Sequence, residues 1–331
     1  MTENPKLTKK SFMSDQEIKW CPGCGDYAIL AATQSAMAKI GVPPHEVCVV
    51  SGIGCSSRFP YYVSSYGMHS IHGRAPAVAT GVKVQNPDLS VWIITGDGDG
   101  LSIGGNHLAH ILRRNLDVNI ILFNNEIYGL TKGQYSPTSQ PGTTTKSTPY
   151  GSFDRPFSPA KFALGAGASF FARTIDTDPK HMMEVFMQAA EHKGTSLIEV
   201  FQNCIIFNDG VHDDFTNRKI RDEYTVRLAE GEPLIFGAEK DKALKLEGFD
   251  FKTVSKDSDG LIVHDPSNKN LAGLLSNLDG KNGPVPLGVI QKVDAPVYEE
   301  DLHKGLEEQL SEKGRGRVSD LLVSGNTWQV S

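Results

Sequence analysis

The segment from residue 91 to residue 125 constrains the fold most strongly. Val91-Trp92-Ile93-Ile94-Thr95 is a short apolar run rich in β-branched residues, Leu101 to Arg114 has helical spacing, and Asn119 to Phe123 is a second apolar run. Strand, helix and strand in that order form a βαβ crossover, which makes the two strands parallel. Gly96-Asp97-Gly98 then falls at the carboxyl end of the first strand. Asn124-Asn125, 28 residues beyond Gly96, falls at the carboxyl end of the second. Open α/β sheets bind ligands along that edge.

The residue types indicate which ligand. A glycine-rich turn at a helix N-terminus attracts a phosphate, but Asp97 and Asp99 would repel a bare one. A divalent cation removes the conflict, and magnesium takes hard oxygen ligands shared between protein and substrate phosphates. Asp97 offers a carboxylate, Asn125 an amide oxygen and Ile127 a backbone carbonyl, while Asp99 is expected to cap the following helix. Either motif alone is ordinarily just a turn; the pair at this spacing points to a metal–diphosphate site. It resembles the signature of thiamine diphosphate enzymes, and the resemblance implies Asp97, Asn125 and the Ile127 carbonyl as magnesium ligands.

Five cysteines narrow the chemistry: Cys21, Cys24, Cys48, Cys55 and Cys204. The polar stretch Met1 to Pro5 has no apolar signal segment, and no run approaches the ~20 apolar residues of a membrane span. A cytoplasmic chain is therefore expected, where clustered cysteines bind metal or do redox work more often than they form disulfides. Cys21-Pro22-Gly23-Cys24 reads as half of a zinc ribbon, but no second such pair exists. Cys48 lies within an apolar strand run and reads as a core residue. Cys55 lies in the loop after that strand, on the same sheet edge as Asp97, and Cys204 follows another strand-like run, Leu197 to Phe201. Four thiolates accept zinc or an iron–sulfur cluster. A loop that also lines the cofactor edge favours the cluster over a remote structural zinc.

Cys21-Pro22-Gly23-Cys24-Gly25, Gly52-Ile53-Gly54-Cys55-Ser56-Ser57, the His72-Gly73-Arg74 segment running to Lys83, the Gly96/Asn124 pair and Tyr128 to Gln134 occur in order. Together they resemble the β subunit of 2-oxoacid:ferredoxin oxidoreductases, over roughly residues 15 to 215. The resemblance implies thiamine diphosphate, Mg2+ and one [4Fe–4S] cluster on Cys21, Cys24, Cys55 and Cys204. It also implies cofactor contacts at Ile53, Gly54, Cys55, Ser56, His72, Gly98, Asp99, Gly129 and Leu130. Arg58, just after the cysteine loop, suits a substrate carboxylate, and the resemblance suggests that Lys132 receives the 2-oxoacid or coenzyme A. His107 and His110, three apart on one helix, read as packing or partner-facing residues. No catalytic base is nominated, because the family draws it from a partner subunit.

Residues 15 to about 235 alternate strand and helix, which predicts a parallel sheet with helices on both faces: a thiamine diphosphate-binding α/β domain over 1–235. Gln134 to Pro159 breaks the rhythm with Pro, Thr, Ser and Gly, and a loop that long is expected to cover the site or dock a partner. Past 235 the composition shifts to a C-terminal extension, 236–331, with one strand at Pro284 to Gln291, a charged helix at Tyr298 to Lys313 and Trp328 near the end. It reads as a partner-contacting element. A net charge of −6 argues against nucleic acid.

The leading expectation is oxidative decarboxylation of a 2-oxoacid to acyl-CoA and CO2, with electrons passed through the cluster to ferredoxin. The implied assembly is a hetero-oligomer with an α subunit, such as a dimer of αβ pairs. Resemblance favours 2-oxoglutarate; pyruvate and branched-chain 2-oxoacids stay open. The alternatives are a non-redox thiamine diphosphate lyase with a structural zinc, and a non-catalytic metal-knuckle protein.

Overall fold

The computed structural model describes residues 7–328 and residue 330; the polar stretch Met1 to Pro5 lies outside them. The strands are β1 Val47–Ser51, β2 Tyr66–His69, β3 Ser90–Gly96, β4 Val118–Asn124, β5 Ile127–Tyr128, β6 Gln134–Tyr135, β7 Phe170–Ile175, β8 Ser196–Phe201, β9 Thr225–Arg227, β10 Ile235–Phe236, β11 Lys242–Glu247, β12 Asp250–Ser255 and β13 Val285–Lys292. Eleven of them form one sheet in the order β12-β11-β10-β9-β13-β7-β8-β4-β3-β1-β2, while β5 and β6 make a separate hairpin. From β2 to β7 every pairing is parallel. The two expected runs are β3 and β4, paired with Ile93 beside Ile120.

These central strands read as continuous apolar runs because helices cover both faces of the sheet. Successive side chains alternate between the layers. Val91 and Ile93 join Leu108, Ile111 and Leu112 of helix Gly105–Arg114 on one face. Trp92 and Ile94 join Met37 of helix Asp26–Ile40 and Phe186 of helix Pro179–Glu191 on the other. The chain thus has the expected α/β fold, a mostly parallel sheet between two helical layers.

Three elements differ from expectation. The helix after β3 is two pieces, Asp97–Leu101 and Gly105–Arg114. A Cβ at Gly104 would stand 2.4 Å from the Asp99 carbonyl oxygen, so the chain turns there at a close approach only glycine allows. Asp99 does not cap a helix: Gly96 holds the N-cap position and Asp99 is inside the first turn. Finally, β13 is no appendage. It lies between β9 (parallel) and β7 (antiparallel), so the region past 235 supplies an interior strand of the main sheet.

The helix Tyr298–Lys313 forms as read from sequence. Its buried Glu299 accepts the Asp117 N–H at 3.0 Å and stands 4.0 Å from the buried Lys83 ammonium. Beyond that anchor Leu306, Leu310, Leu321, Leu322 and Trp328 are exposed. No helix among the described residues is long and apolar enough to cross a membrane.

One half-buried histidine sets an acid limit on the fold. His181 meets the Thr174 hydroxyl at 2.9 Å. Burial, then the Arg227 charge, lowers its pKa to about 3. A histidine depressed in the folded state leaves stability intact above the unfolded value near 6.5, and withdraws it as pH falls from there towards the folded value. Replacing it, H181N, should flatten the fall in melting temperature between pH 6.5 and pH 4.5, sparing about 2–3 kcal/mol at the lower end. Parallel melting profiles for the two proteins would refute this.

Candidate active site

A cavity of about 540 Å³ opens at the carboxyl ends of β1, β3 and β4, on the edge the crossover predicts. Its wall comes from the loop after β1 (Ile53, Gly54, Cys55, Ser56), His72, the Gly96–Asp99 turn, and Asn125 with Ile127 to Leu130. Tyr128 donates its hydroxyl to the Gly98 carbonyl at 2.9 Å. A Cβ on Gly98 would stand 2.2 Å from the Tyr128 ring, so only glycine fits.

The two aspartates of the turn do different work. Asp99 is a bracket: Oδ1 accepts the Ile53 N–H (3.0 Å), the Gly73 N–H (2.7 Å) and His72 Nδ1 (2.7 Å), and Oδ2 accepts the Thr95 hydroxyl (2.7 Å). It ties three wall segments together. His72 therefore turns Nδ1 to Asp99, not to a ligand. Gly52 lies against the same carboxylate; a Cβ there would fall 2.0 Å from Asp99 Oδ2.

Asp97 is buried with no cationic side chain paired to it among the described residues. Its Oδ2 accepts the Ser136 hydroxyl at 2.5 Å and the Thr138 hydroxyl at 2.6 Å. Burial raises its pKa to about 6, with the two hydroxyls holding it down. A buried carboxylate lacking a counter-charge, beside an amide oxygen and a backbone carbonyl, fits a hard divalent cation. Asn125 Oδ1 meanwhile accepts the Ile127 N–H at 3.2 Å and its Nδ2 donates to Gln202 at 2.7 Å, which fixes the amide orientation.

A second cavity, about 290 Å³, adjoins the first. Cys21, Cys24, Cys55 and Cys204 all line it, all as free thiols. Gly23, at φ +84°, makes the turn between the first two, and the Trp20 indole donates to the Cys55 carbonyl at 2.7 Å. A Cβ on Gly129 would stand 3.5 Å from Cys204 Sγ and 3.6 Å from Cys55 Sγ. Burial raises the Cys24 and Cys55 thiols, Cys55 to about 12, and the neighbouring thiols add to both shifts. Burial therefore keeps these groups as neutral thiols, and binding a cationic centre would release their protons. Among the described residues no group of three or more His, Cys, Asp or Glu is arranged to hold a metal ion. The four thiols line one cavity, and four thiols are the donor set an iron–sulfur cluster takes. Cys48 is buried in β1, apart from them.

All of the sequence-read cofactor contacts and magnesium ligands line the first cavity. Arg58 and Lys132 line the cysteine cavity, where the Arg58 guanidinium donates to the Lys19 carbonyl at 3.1 Å. His107 and His110 line neither. Sequence reasoning missed Asp26, which lines both cavities, is buried and has Oδ2 without a hydrogen-bond partner among the described residues. Burial raises it to about 7. It also missed Ser136 and Thr138. Asp26 stands two residues after the cysteine pair, which was its one available signal; two hydroxyls in a polar loop carry none.

The fold and the first cavity define a thiamine diphosphate-binding α/β protein. Residues 52–200 match the family described as the C-terminal TPP-binding domain of thiamine pyrophosphate enzymes. The chain is 46% identical over 337 aligned residues to the 2-oxoglutarate oxidoreductase subunit KorB of Mycobacterium tuberculosis, covering 99% of this chain and 90% of that one. It is 45% identical over 199 residues to a 2-oxoacid:ferredoxin oxidoreductase β subunit of Aeropyrum pernix, covering 60% of this chain and 63% of that one. It also matches the solved 2-oxoglutarate:ferredoxin oxidoreductase of Magnetococcus marinus, which has 2-oxoglutarate, coenzyme A and succinyl-CoA bound, with a TM-score of 0.79, 34% identity and 98% of each chain covered. The chain belongs to the β subunits of the 2-oxoacid:ferredoxin oxidoreductases.

Proposed function

We propose that this subunit carries out the oxidative decarboxylation of 2-oxoglutarate to succinyl-CoA and CO2, passing two electrons singly to ferredoxin. The observation that carries the reading is the common wall: Asp26, Cys55, Asn125, Gly129 and Leu130 line both cavities. A carbon-chemistry site and a thiolate-ringed void separated by single residues suit a reaction in which a carbon centre is oxidised by an adjacent one-electron acceptor. The choice of 2-oxoglutarate is supported by the names of the relatives from M. tuberculosis and M. marinus.

Asp97, Asn125 and the Ile127 carbonyl are the residues assigned to Mg2+, and Cys21, Cys24, Cys55 and Cys204 those assigned to one [4Fe–4S] cluster. Thiamine diphosphate, when bound, would supply the carbanion chemistry at the 2-oxo carbon, and a cluster held by these thiols would supply a one-electron acceptor beside it. The protein's share is orientation and charge. Asp99 holds His72 and the Ile53 and Gly73 segments as a fixed wall around the diphosphate end. Arg58 and Lys132, cations beside the common wall, are assigned the anionic reactants, the 2-oxoacid carboxylate and coenzyme A. The exposed apolar residues after Lys313 are assigned to contact with the α partner.

The test is an anaerobic assay of the chain co-expressed with its α subunit, following dye reduction with coenzyme A and 2-oxoglutarate, pyruvate or 2-oxoisovalerate. Coenzyme A-dependent reduction with 2-oxoglutarate is expected. Reduction with another acid alone would replace the substrate, and zinc in place of iron without any reduction would favour the lyase. A chain ending at residue 313 should assemble less well with the α subunit; unchanged assembly on a sizing column would refute the assignment of the tail.

A further inference from the structure

We infer that the Ser136 and Thr138 hydroxyls are positioning groups for the Asp97 carboxylate, braced by a buried relay through Asn124 and Glu199 to Arg173. The inference rests on Asp97 being a metal ligand, as proposed above. Thr138 Oγ1 stands 2.6 Å from Asp97 Oδ2 and 2.9 Å from Asn124 Oδ1. Asn124 Nδ2 donates to Glu199 Oε1 at 2.8 Å, and Glu199 Oε2 accepts from Arg173 Nε at 2.8 Å. Arg173 Nη1 donates to the Leu278 carbonyl at 3.1 Å, so the relay ends on backbone supplied by the region past 235. Every member side chain is buried.

The direction of each bond follows from the chemistry of its groups. A guanidinium only donates and a carboxylate only accepts. Glu199 therefore turns the Asn124 amide so that its nitrogen faces Glu199 and its oxygen faces Thr138. The single Thr138 proton is shared between Asn124 and Asp97, and Ser136 brings a second proton to the same Asp97 oxygen at 2.5 Å. Both hydroxyls converge on Oδ2, and among the described residues no side-chain donor reaches Oδ1. The carboxylate is thus held in one rotation through Oδ2, with the Gly98 and Asp97 backbone N–H groups also bonding to it. Ser139 adds a bond to the Glu126 carbonyl, between the Asn125 and Ile127 positions, so one short loop grips both halves of the ligand set.

None of Ser136, Thr138, Asn124, Glu199 and Arg173 lines the first cavity. All but Ser136 face a separate polar cavity of about 350 Å³. They act through Asp97 and do not touch the reactants. Such outer partners typically govern metal affinity by 10- to 100-fold.

The αβ complexes of wild type, T138V, T138S and S136A would be stripped of metal and cofactor with a chelator. Each would then be titrated with Mg2+ at fixed thiamine diphosphate in a calorimeter, alongside melting curves of the stripped complexes. T138V should bind Mg2+ about 10-fold more weakly or worse, T138S within about threefold of wild type, and S136A in between. A purely structural role would lower the melting temperature of T138V and leave its Mg2+ affinity at the wild-type value, which would overturn the inference. Should T138V not fold, wild-type affinity in S136A overturns it equally. A wild-type complex that binds no Mg2+ with thiamine diphosphate would remove the metal-ligand reading of Asp97 itself, a different failure from unchanged affinity in the variants.

Discussion

Asp97→Ala should leave the assembled complex without bound thiamine diphosphate and lower turnover by about 10³-fold or more. A metal carboxylate ligand is worth several kcal/mol of charge stabilisation, and each 1.36 kcal/mol is a factor of ten. The loss should not come from unfolding. The carboxylate is buried with no counter-charge, so its removal relieves a desolvated charge while the Ser136 and Thr138 hydroxyls lose their acceptor. These terms oppose each other, and the melting temperature of the cofactor-free variant should stay close to that of wild type. Thiamine diphosphate retained at wild-type affinity in calorimetry would remove Asp97 from the metal site.

Cys55→Ser should have the second large effect, of a different kind. Cys55 lies on the common wall. Losing one of four thiolate ligands should reduce bound iron from about four per chain to a small fraction, together with acid-labile sulfide. Dye reduction should vanish. Thiamine diphosphate binding should persist, because the Asp97 turn and its Asp99 bracket do not depend on the thiol. The two variants therefore separate the functions: D97A keeps iron and loses the cofactor, C55S the reverse. Full iron content in C55S would exclude Cys55 as a ligand.

The readable parts of the molecule are those in which local chemistry and position coincide. β3 and β4 are buried on both faces and so appear as apolar runs, and the motifs at their ends need only strand polarity to be placed on one edge. Cys55 was legible for the same reason. Asp99 was misread because capping and bracketing use the same carboxylate. Only the fold brings the Ile53, Gly73 and Thr95 donors to it. The helix break at Gly104 comes from a close approach to the Asp99 carbonyl, a tertiary fact absent from helical spacing. The insertion of β13 beside β7 joins segments more than a hundred residues apart, and pairing at that range leaves no local pattern. Ser136 and Thr138 sit among other hydroxyls of a polar loop, where composition cannot mark the ones that reach Asp97.

The common wall also bears on how such an enzyme can change over time. Asn125, Gly129 and Cys55 each face both chambers. A replacement that reshapes the pocket for another oxoacid at any of them also alters the surroundings of the thiols. Selection for a new substrate through these positions would carry the redox behaviour along with it. Diversification without that side effect has to come from residues that touch one chamber only, or from the partner subunit.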